Sequence, residues 1–218
     1  MSKPKVFGAS LSPFVRKLRA YLAEKGIDYD IESVMPGSDD ADFRKISPLG
    51  KIPAFSDDKV SISDSSVICA YLERENPDPP LYPNDAAAYA RALWLEEWAD
   101  TVLVAAAVVP FRERLLARAL FNREPDEDAV TQAIETKQPA AFDYLESQLS
   151  DSGYLVGDSI TIADIAIATH FANLGYGGCS VDAERWPKLA AYAGDMLARP
   201  SFAALLAEEK QLVDRFAG

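Results

Sequence analysis

Apolar positions along the first 77 residues switch repeatedly between strand and helical spacing. A short β-type run, KVFG at 5–8, follows Pro4; from Pro13 onward Phe14, Leu18 and Leu22, with Val15 and Tyr21, recur at the spacing of one helical face. Both ends of that helix are marked, by Ser12 at an N-cap position, Pro13 at the first helical position and Gly26 after the last periodic residue. The stretch IDYDIESV (27–34) then alternates Ile27, Tyr29, Ile31 and Ser33 against acidic residues, the pattern of a half-buried strand. Together these predict a βαβ unit with parallel strands and a right-handed crossover. Downstream, DADFRKIS (40–47) carries a short helical pattern. IPAFSDDKVSIS (52–63) predicts two short strands joined by a turn at Asp57–Asp58–Lys59, and DSSVICAYLEREN (64–76) places Val67, Ile68, Tyr71 and Leu72 on one helical face.

The pattern then breaks. NPDPPLYPND (76–85) holds four of the chain's 14 prolines, which excludes helix and strand and reads as a linker. From Ala86 the period is helical throughout: a long run over 86–121 with a kink or break expected at Pro110, then helices over 126–149, 161–175, 187–198 and 200–215. The reading is α/β plus all-α: a thioredoxin-like βαβ-ββα domain at 1–77, a linker at 78–85 and an all-helical domain at 86–218.

Composition narrows the function classes. With 218 residues, 49% of them hydrophobic, the chain can bury a substantial core, and no run of about 18 apolar residues suggests a membrane span. The first ten residues lack the apolar stretch of a secretory signal, so a cytoplasmic location is expected. Cys69 and Cys179 have no metal-ligand spacing and are too few for a disulfide framework, and His170 is the single histidine. No metal site is expected. Net charge is −12, against a phosphate-backbone partner, so no nucleic acid is expected. Residues 1–77 hold 11 basic and 12 acidic side chains and residues 78–218 hold 11 and 22, so a small anionic ligand belongs with the first segment.

Two short constellations carry chemistry. In SPLGKIPAF (47–55), the Ile52–Pro53 step between a loop and a β-type run suits either a cis peptide or a plain edge-strand proline. A cis bond there would turn the backbone groups of Ile52 out of the sheet, where a peptide-like ligand can pair as an added strand. In SDSSV (63–67), Asp64 and Ser65 open a helix whose free N–H groups favour a carboxylate; Ser65 can donate to it and Asp64 can accept from an amino group, although ordinary capping explains the same residues.

In combination, Ser-Pro-Phe-x-x-x-Leu-Arg opening the first helix, Lys51-Ile52-Pro53 after it and the Asp64–Ser65 pair resemble the cytosolic glutathione transferases. The serine-using bacterial and plant classes, of the tau, phi and theta kind, are the most similar. GDSITIADIAIAT (157–169) resembles that family's N-capping box with hydrophobic staple: Thr161 caps, Asp164 reaches back and Ile160 packs on the helix. The resemblance spans the whole chain. It implies that glutathione, a co-substrate rather than a cofactor, lies extended on the first domain. Ile52 would take its cysteinyl backbone, Asp64 and Ser65 its γ-glutamyl end and Lys51 its glycyl carboxylate. Two departures stand out: many relatives carry Glu where this chain has Asp64, and the VRKLR helix is more basic than the role requires.

In this reading the nucleophile is the thiol of glutathione. A free thiol has a pKa of about 8.5, and helix N-termini lower such values. A hydroxyl at the head of the first helix can donate to the thiolate and favour it over the thiol. Ser12 is aligned with that role by the following Pro-Phe and basic residues; Ser10, in the same loop, competes. Cys69 and Cys179 lie away from that position and read as structural, as does His170. Tyr89, Trp94, Trp98 and Phe111 read mostly as core. The resemblance therefore implies a transferase joining the thiolate to an electrophilic, largely apolar small molecule, a detoxification chemistry, in a homodimer. The alternatives are a non-catalytic regulatory protein of the stringent-starvation type, or a glutathione-dependent isomerase, dehalogenase or peroxidase.

Overall fold

The βαβ unit forms from the signals that mark it. In a computed structural model describing residues 3–217, β1 (Lys5–Phe7) pairs in parallel with β2 (Asp30–Glu32), with Val6 opposite Ile31, and α1 (Pro13–Glu24) connects them. Ser12 has extended backbone angles and its Oγ accepts from the Val15 N–H at 3.4 Å, so the helix is capped where the sequence marks it. Gly26, with φ at +66°, ends it. The expected half-burial of the second strand does not hold. All three residues of β2 are exposed, Ile31 at 41%, because the sheet order β2-β1-β3-β4 leaves this short strand at an uncovered edge.

After α2 (Ala41–Ile46), capped by Asp40, come β3 (Ala54–Ser56) and β4 (Ser61–Ser63), antiparallel to each other, with β3 also antiparallel to β1. Their turn is fixed by Asp57, whose Oδ1 accepts from the N–H groups of Lys59 and Val60, both at 2.8 Å. α3 (Ser65–Glu75) packs on α1 and buries Ile68, Cys69 and Leu72. Val67 is a correction: it is 53% exposed, and the buried stripe runs Ser65, Ile68, Cys69, Leu72, with spacings of three, one and three residues. At the far end of α1 the buried Lys25 donates to the carbonyls of Asn76 (2.8 Å) and Pro79 (2.6 Å) and pairs with Glu73 at 2.5 Å. That ammonium ties the proline-rich segment to the helices before it.

The chain divides into two compact units, Met1–Leu81 and Tyr82–Gly218. In the second, α4 (Ala86–Trp98), α5 (Val104–Phe111) and α6 (Ala117–Phe121) run on through π-helical turns at Ala99–Leu103 and Arg112–Leu116. Pro110 sits inside α5 without ending it. Proline lacks the N–H that would bond the carbonyl four residues back, and the Ala106 carbonyl accepts instead from Nε2 of buried Gln138 at 3.4 Å. α7 (Glu127–Gln132) and α8 (Gln138–Gln148) flank a further π turn, and α10 (Pro187–Ala198) and α11 (Pro200–Ala217) follow the buried α9 (Ile162–Tyr176), which packs against α4, α5 and α10.

The capping box at the head of α9 is present. Asp164 accepts from the Thr161 N–H at 2.8 Å and hydroxyl at 3.0 Å, and also from Leu155 N–H and Tyr192 O–H, each at 3.0 Å. Of the four aromatics expected in the core, Trp98 and Phe111 are buried. Tyr89 and Trp94 are not, at 39% and 53% exposure, because α4 buries its Ala92, Leu95 and Glu96 side and turns the other outward. Among the described residues no helix is long and apolar enough to cross a membrane.

Candidate functional site

Strand register gathers the sequence-predicted residues of the first unit at one end of its strands. Phe7, the last residue of β1, lies opposite Ala54, the first of β3, and Ala54 lies opposite Ser63, the last of β4. The segments that leave the sheet there are Gly8–Ser12, Ile52–Pro53 and Asp64–Ser65. Two of them are joined directly, since the Asp64 N–H donates to the Pro53 carbonyl at 3.3 Å. Gly8 permits the close approach of the third. A Cβ on it would stand 2.4 Å from Val15 Cγ2 and 3.5 Å from Ile52 Cβ, so a side chain there would push α1 away from the loop carrying Ile52.

The two serines of the first loop are not equivalent. Ser10 and Leu11 form the middle of a turn closed by the Ser12 N–H on the Ala9 carbonyl at 3.0 Å. Ser12 follows that turn at the helix head, half-buried, with its oxygen accepting from Val15. An oxygen held as acceptor by an amide still has its own proton to donate. Its hydroxyl can therefore cap α1 and donate to an anion at the same time.

The Ile52–Pro53 bond is cis. Among the described residues neither the N–H nor the C=O of Ile52 has a hydrogen-bond partner, while its side chain packs beside Phe7, Phe43 and Ala54. Asp64 sits at φ +89°, a region that costs a non-glycine residue about 1–3 kcal/mol. Its Oδ1 caps α3 by accepting from Ser66 N–H (3.0 Å) and Val67 N–H (3.2 Å), so the capping reading of this aspartate is real. Ser65 is only 5% exposed, yet among the described residues its N–H and hydroxyl have no partner, which leaves two donors at a helix N-terminus for an anion. Lys51 is exposed, its ammonium has no ion-pair partner among the described residues, and its carbonyl accepts from the buried Ser47 hydroxyl at 2.7 Å.

One contact had no sequence signal beyond an excess of positive charge in α1. Lys17 is fully buried and its Nζ donates to Ser66 Oγ at 2.9 Å, which links the helix headed by Ser12 to the first turn of the helix headed by Asp64. In this unit the Asp42–Lys45 hydrogen bond of α2 lowers the carboxyl pKa and raises that of the ammonium, and a second pair of shifted groups lies at the hairpin. Asp57 lies below the usual carboxylate range, since amide and Tyr71 hydrogen bonds outweigh its burial, while burial and the Asp57 charge push Tyr71 up to about 12. Cys69 and His170 are buried and Cys179 is half-buried; neither cysteine is in a disulfide among the described residues. Among the described residues no group of three or more His, Cys, Asp or Glu is placed to hold a metal ion.

The chain matches two family models, "Glutathione S-transferase, N-terminal domain" over residues 6–80 and "Glutathione S-transferase, C-terminal domain" over residues 112–209. The uncharacterized GST-like protein YibF of Escherichia coli (strain K12) is 33% identical, over 91% of this chain and 96% of its own length. A glutathione S-transferase of Hyoscyamus muticus is 30% identical, over 95% of this chain and 99% of its own. The crystal structure of a glutathione S-transferase from Rhodospirillum rubrum F11 superposes with a TM-score of 0.83 at 30% identity, covering 93% of this chain and 91% of that one. With both halves matched and these likenesses running nearly end to end, the chain belongs to the glutathione S-transferase family.

Proposed function

We propose that the protein is a glutathione S-transferase that ionises the thiol of glutathione at the head of α1 and joins it to an electrophilic carbon of a largely apolar small molecule. The observation that carries this is the shared end of strands β1, β3 and β4. A hydroxyl at a helix N-terminus, a strand-like backbone with both polar groups open and a second helix head with two open donors stand in the order in which an extended tripeptide offers a thiol, a peptide unit and a carboxylate. Ile52 takes the cysteinyl peptide as an added strand. Ser65, at the N-terminus of α3, takes the γ-glutamyl carboxylate; Asp64, with Oδ1 committed to the cap, has Oδ2 left for the amino group. Lys51 takes the glycyl carboxylate.

The chemical step needs no proton acceptor of its own. Bringing the thiol against the Ser12 hydroxyl and the positive end of α1 lowers its pKa from about 8.5, and one to two units raise the thiolate from a few per cent to a large share at neutral pH. The thiol proton leaves to solvent, and the thiolate then attacks the electrophilic carbon: its lone pair forms the new carbon–sulfur bond while the displaced pair departs with the leaving group or, at an activated double bond, moves from the π bond onto the neighbouring carbon and is protonated by water. Ser12 is the donor and Ser10, occupied in the preceding turn, is not. The protein works in the cytoplasm as a homodimer, for which the outward apolar side chains Tyr89, Leu93 and Trp94 of α4 and Val67 of α3 are supporting observations. Calorimetric titration with glutathione tests the proposal: binding is expected, and its absence in the folded wild type would refute it. Sedimentation tests the dimer separately.

A further inference from the structure

The loop between β2 and β3 delivers Lys51 and Ile52, but little apolar burial holds it. Of residues 35–50, Met35 and Leu49 are exposed at 52% and 75%, Phe43 is the large apolar side chain the segment buries fully, and Ile46 packs partly buried against the same cluster. What organises it is one guanidinium. Arg44, in the last turn of α2, donates from Nε to the Ser38 carbonyl (2.6 Å), from Nη1 to the Pro48 carbonyl (3.2 Å) and from Nη2 to the Gly37 carbonyl (3.2 Å). All three nitrogens of one planar fork thus grip backbone on both sides of α2. The two ends are also joined to each other, by the Gly37 N–H on the Gly50 carbonyl at 2.8 Å. Gly50 lies against the fork at φ +66°, and a Cβ there would stand 2.7 Å from Arg44 Cζ. Gly50 N–H then bonds the Ser47 carbonyl and Ser47 Oγ bonds the Lys51 carbonyl, so the chain of contacts ends at the residue before Ile52.

We infer that Arg44 is a positioning residue for glutathione: its guanidinium staples the 37–50 loop shut and so presets Lys51 and Ile52 for the ligand. The inference rests on the glutathione-binding role proposed above for those two residues. The staple works by geometry and not by charge, because its partners are three carbonyls, and its ion pair is with Asp39, whose side chain is 99% exposed and adds little. A ligand that binds only the ordered loop binds more weakly in proportion to the fraction ordered, while chemistry on the bound thiol is untouched.

The test is calorimetric binding and steady-state kinetics with glutathione on the full chain for wild type, Arg44→Ala, Arg44→Lys, Gly50→Ala and Asp39→Asn, with hydrogen exchange at the Gly37 and Gly50 amides. Arg44→Ala and Arg44→Lys are both expected to raise Kd and KM for glutathione about tenfold, with kcat and the thiolate fraction of bound glutathione unchanged and both amides exchanging faster. Gly50→Ala, which displaces the fork from the other side, should do the same, and Asp39→Asn nothing. Wild-type affinity in Arg44→Lys would show that charge alone suffices and overturn the staple. Unchanged affinity in all variants, with wild type binding normally, would sink this inference alone, whereas a wild type that binds no glutathione would sink the proposed activity and this inference with it.

Discussion

Glu113 should make the second unit acid-sensitive in a calculable way. It lies in the π turn after α5 with its side chain 2% exposed, and its carboxylate accepts from Arg123 (2.8 and 2.5 Å), from Arg112 Nε at 2.9 Å and from the Asp126 N–H at 3.1 Å. The Arg123 hydrogen bonds, against the opposing effect of burial, bring its pKa down from 4.5 to about 2. A carboxyl whose pKa is lower in the folded chain binds more protons when unfolded. Its stabilisation is therefore complete above about pH 4.5 and is lost as pH falls through about 2. A shift of that size corresponds to about 3 kcal/mol, but the arginines are 49% and 42% exposed, and solvent screening brings the expected contribution to about 1–2 kcal/mol. Urea unfolding of wild type and Glu113→Gln at pH 7, 5, 4, 3 and 2 measures it. Taking the difference between the two proteins cancels the other carboxylates. It should be constant from pH 7 to 5 and shrink steadily toward pH 2. A difference independent of pH over that range would refute the electrostatic account and leave Glu113 a packing residue.

Three other outcomes follow from the same contacts. Gln138→Ala should destabilise the chain by about 1–2 kcal/mol by stranding the Ala106 carbonyl, and by clearly less in a Pro110→Ala background where an amide returns to that carbonyl; additive effects in the double variant would contradict this pairing. Lys25→Met should cost about 2–4 kcal/mol in urea, because it leaves Glu73 and two carbonyls without their shared donor, and a stability equal to wild type would show the network idle. Ser65→Ala should weaken glutathione binding about tenfold while leaving the melting temperature within a few degrees. Unchanged affinity would remove Ser65 from the site.

Most of the architecture was legible because local signals and tertiary demands agree. Ser12, Pro13 and Gly26 bound α1 in sequence and in structure, and the box of Thr161 and Asp164 starts α9 where its residue types require. What failed needed a partner element to decide it. Ile31 alternates as a buried position would, but among the described residues nothing covers the edge strand it occupies. Val67 and Trp94 are apolar at helical spacing, yet their faces point outward. Of the kink or break expected at Pro110, the helix shows no break, because Gln138, 28 residues later, supplies a substitute donor that the local sequence does not reveal. At the site, Ser12, Ile52–Pro53 and Asp64–Ser65 could be named from short motifs, since caps and an Ile-Pro step are local. Their convergence could not, because it depends on strand register, and neither could the grip of Arg44 on three carbonyls or the buried contact of Lys17 with Ser66.

The central claim is that the Ser12 hydroxyl, at the head of α1, ionises a bound thiol. Ultraviolet absorbance of the thiolate in the saturated glutathione complex, titrated from pH 5 to 9 in wild type, Ser12→Ala and Ser10→Ala, tests it most directly. The wild-type complex should titrate one to two units below free glutathione, at about 6.5–7.5, Ser10→Ala should follow it, and Ser12→Ala should move back toward about 8.5 while binding glutathione nearly as well. A Ser12→Ala complex that titrates with the wild type would contradict the claim and return Ser12 to the role of a helix cap.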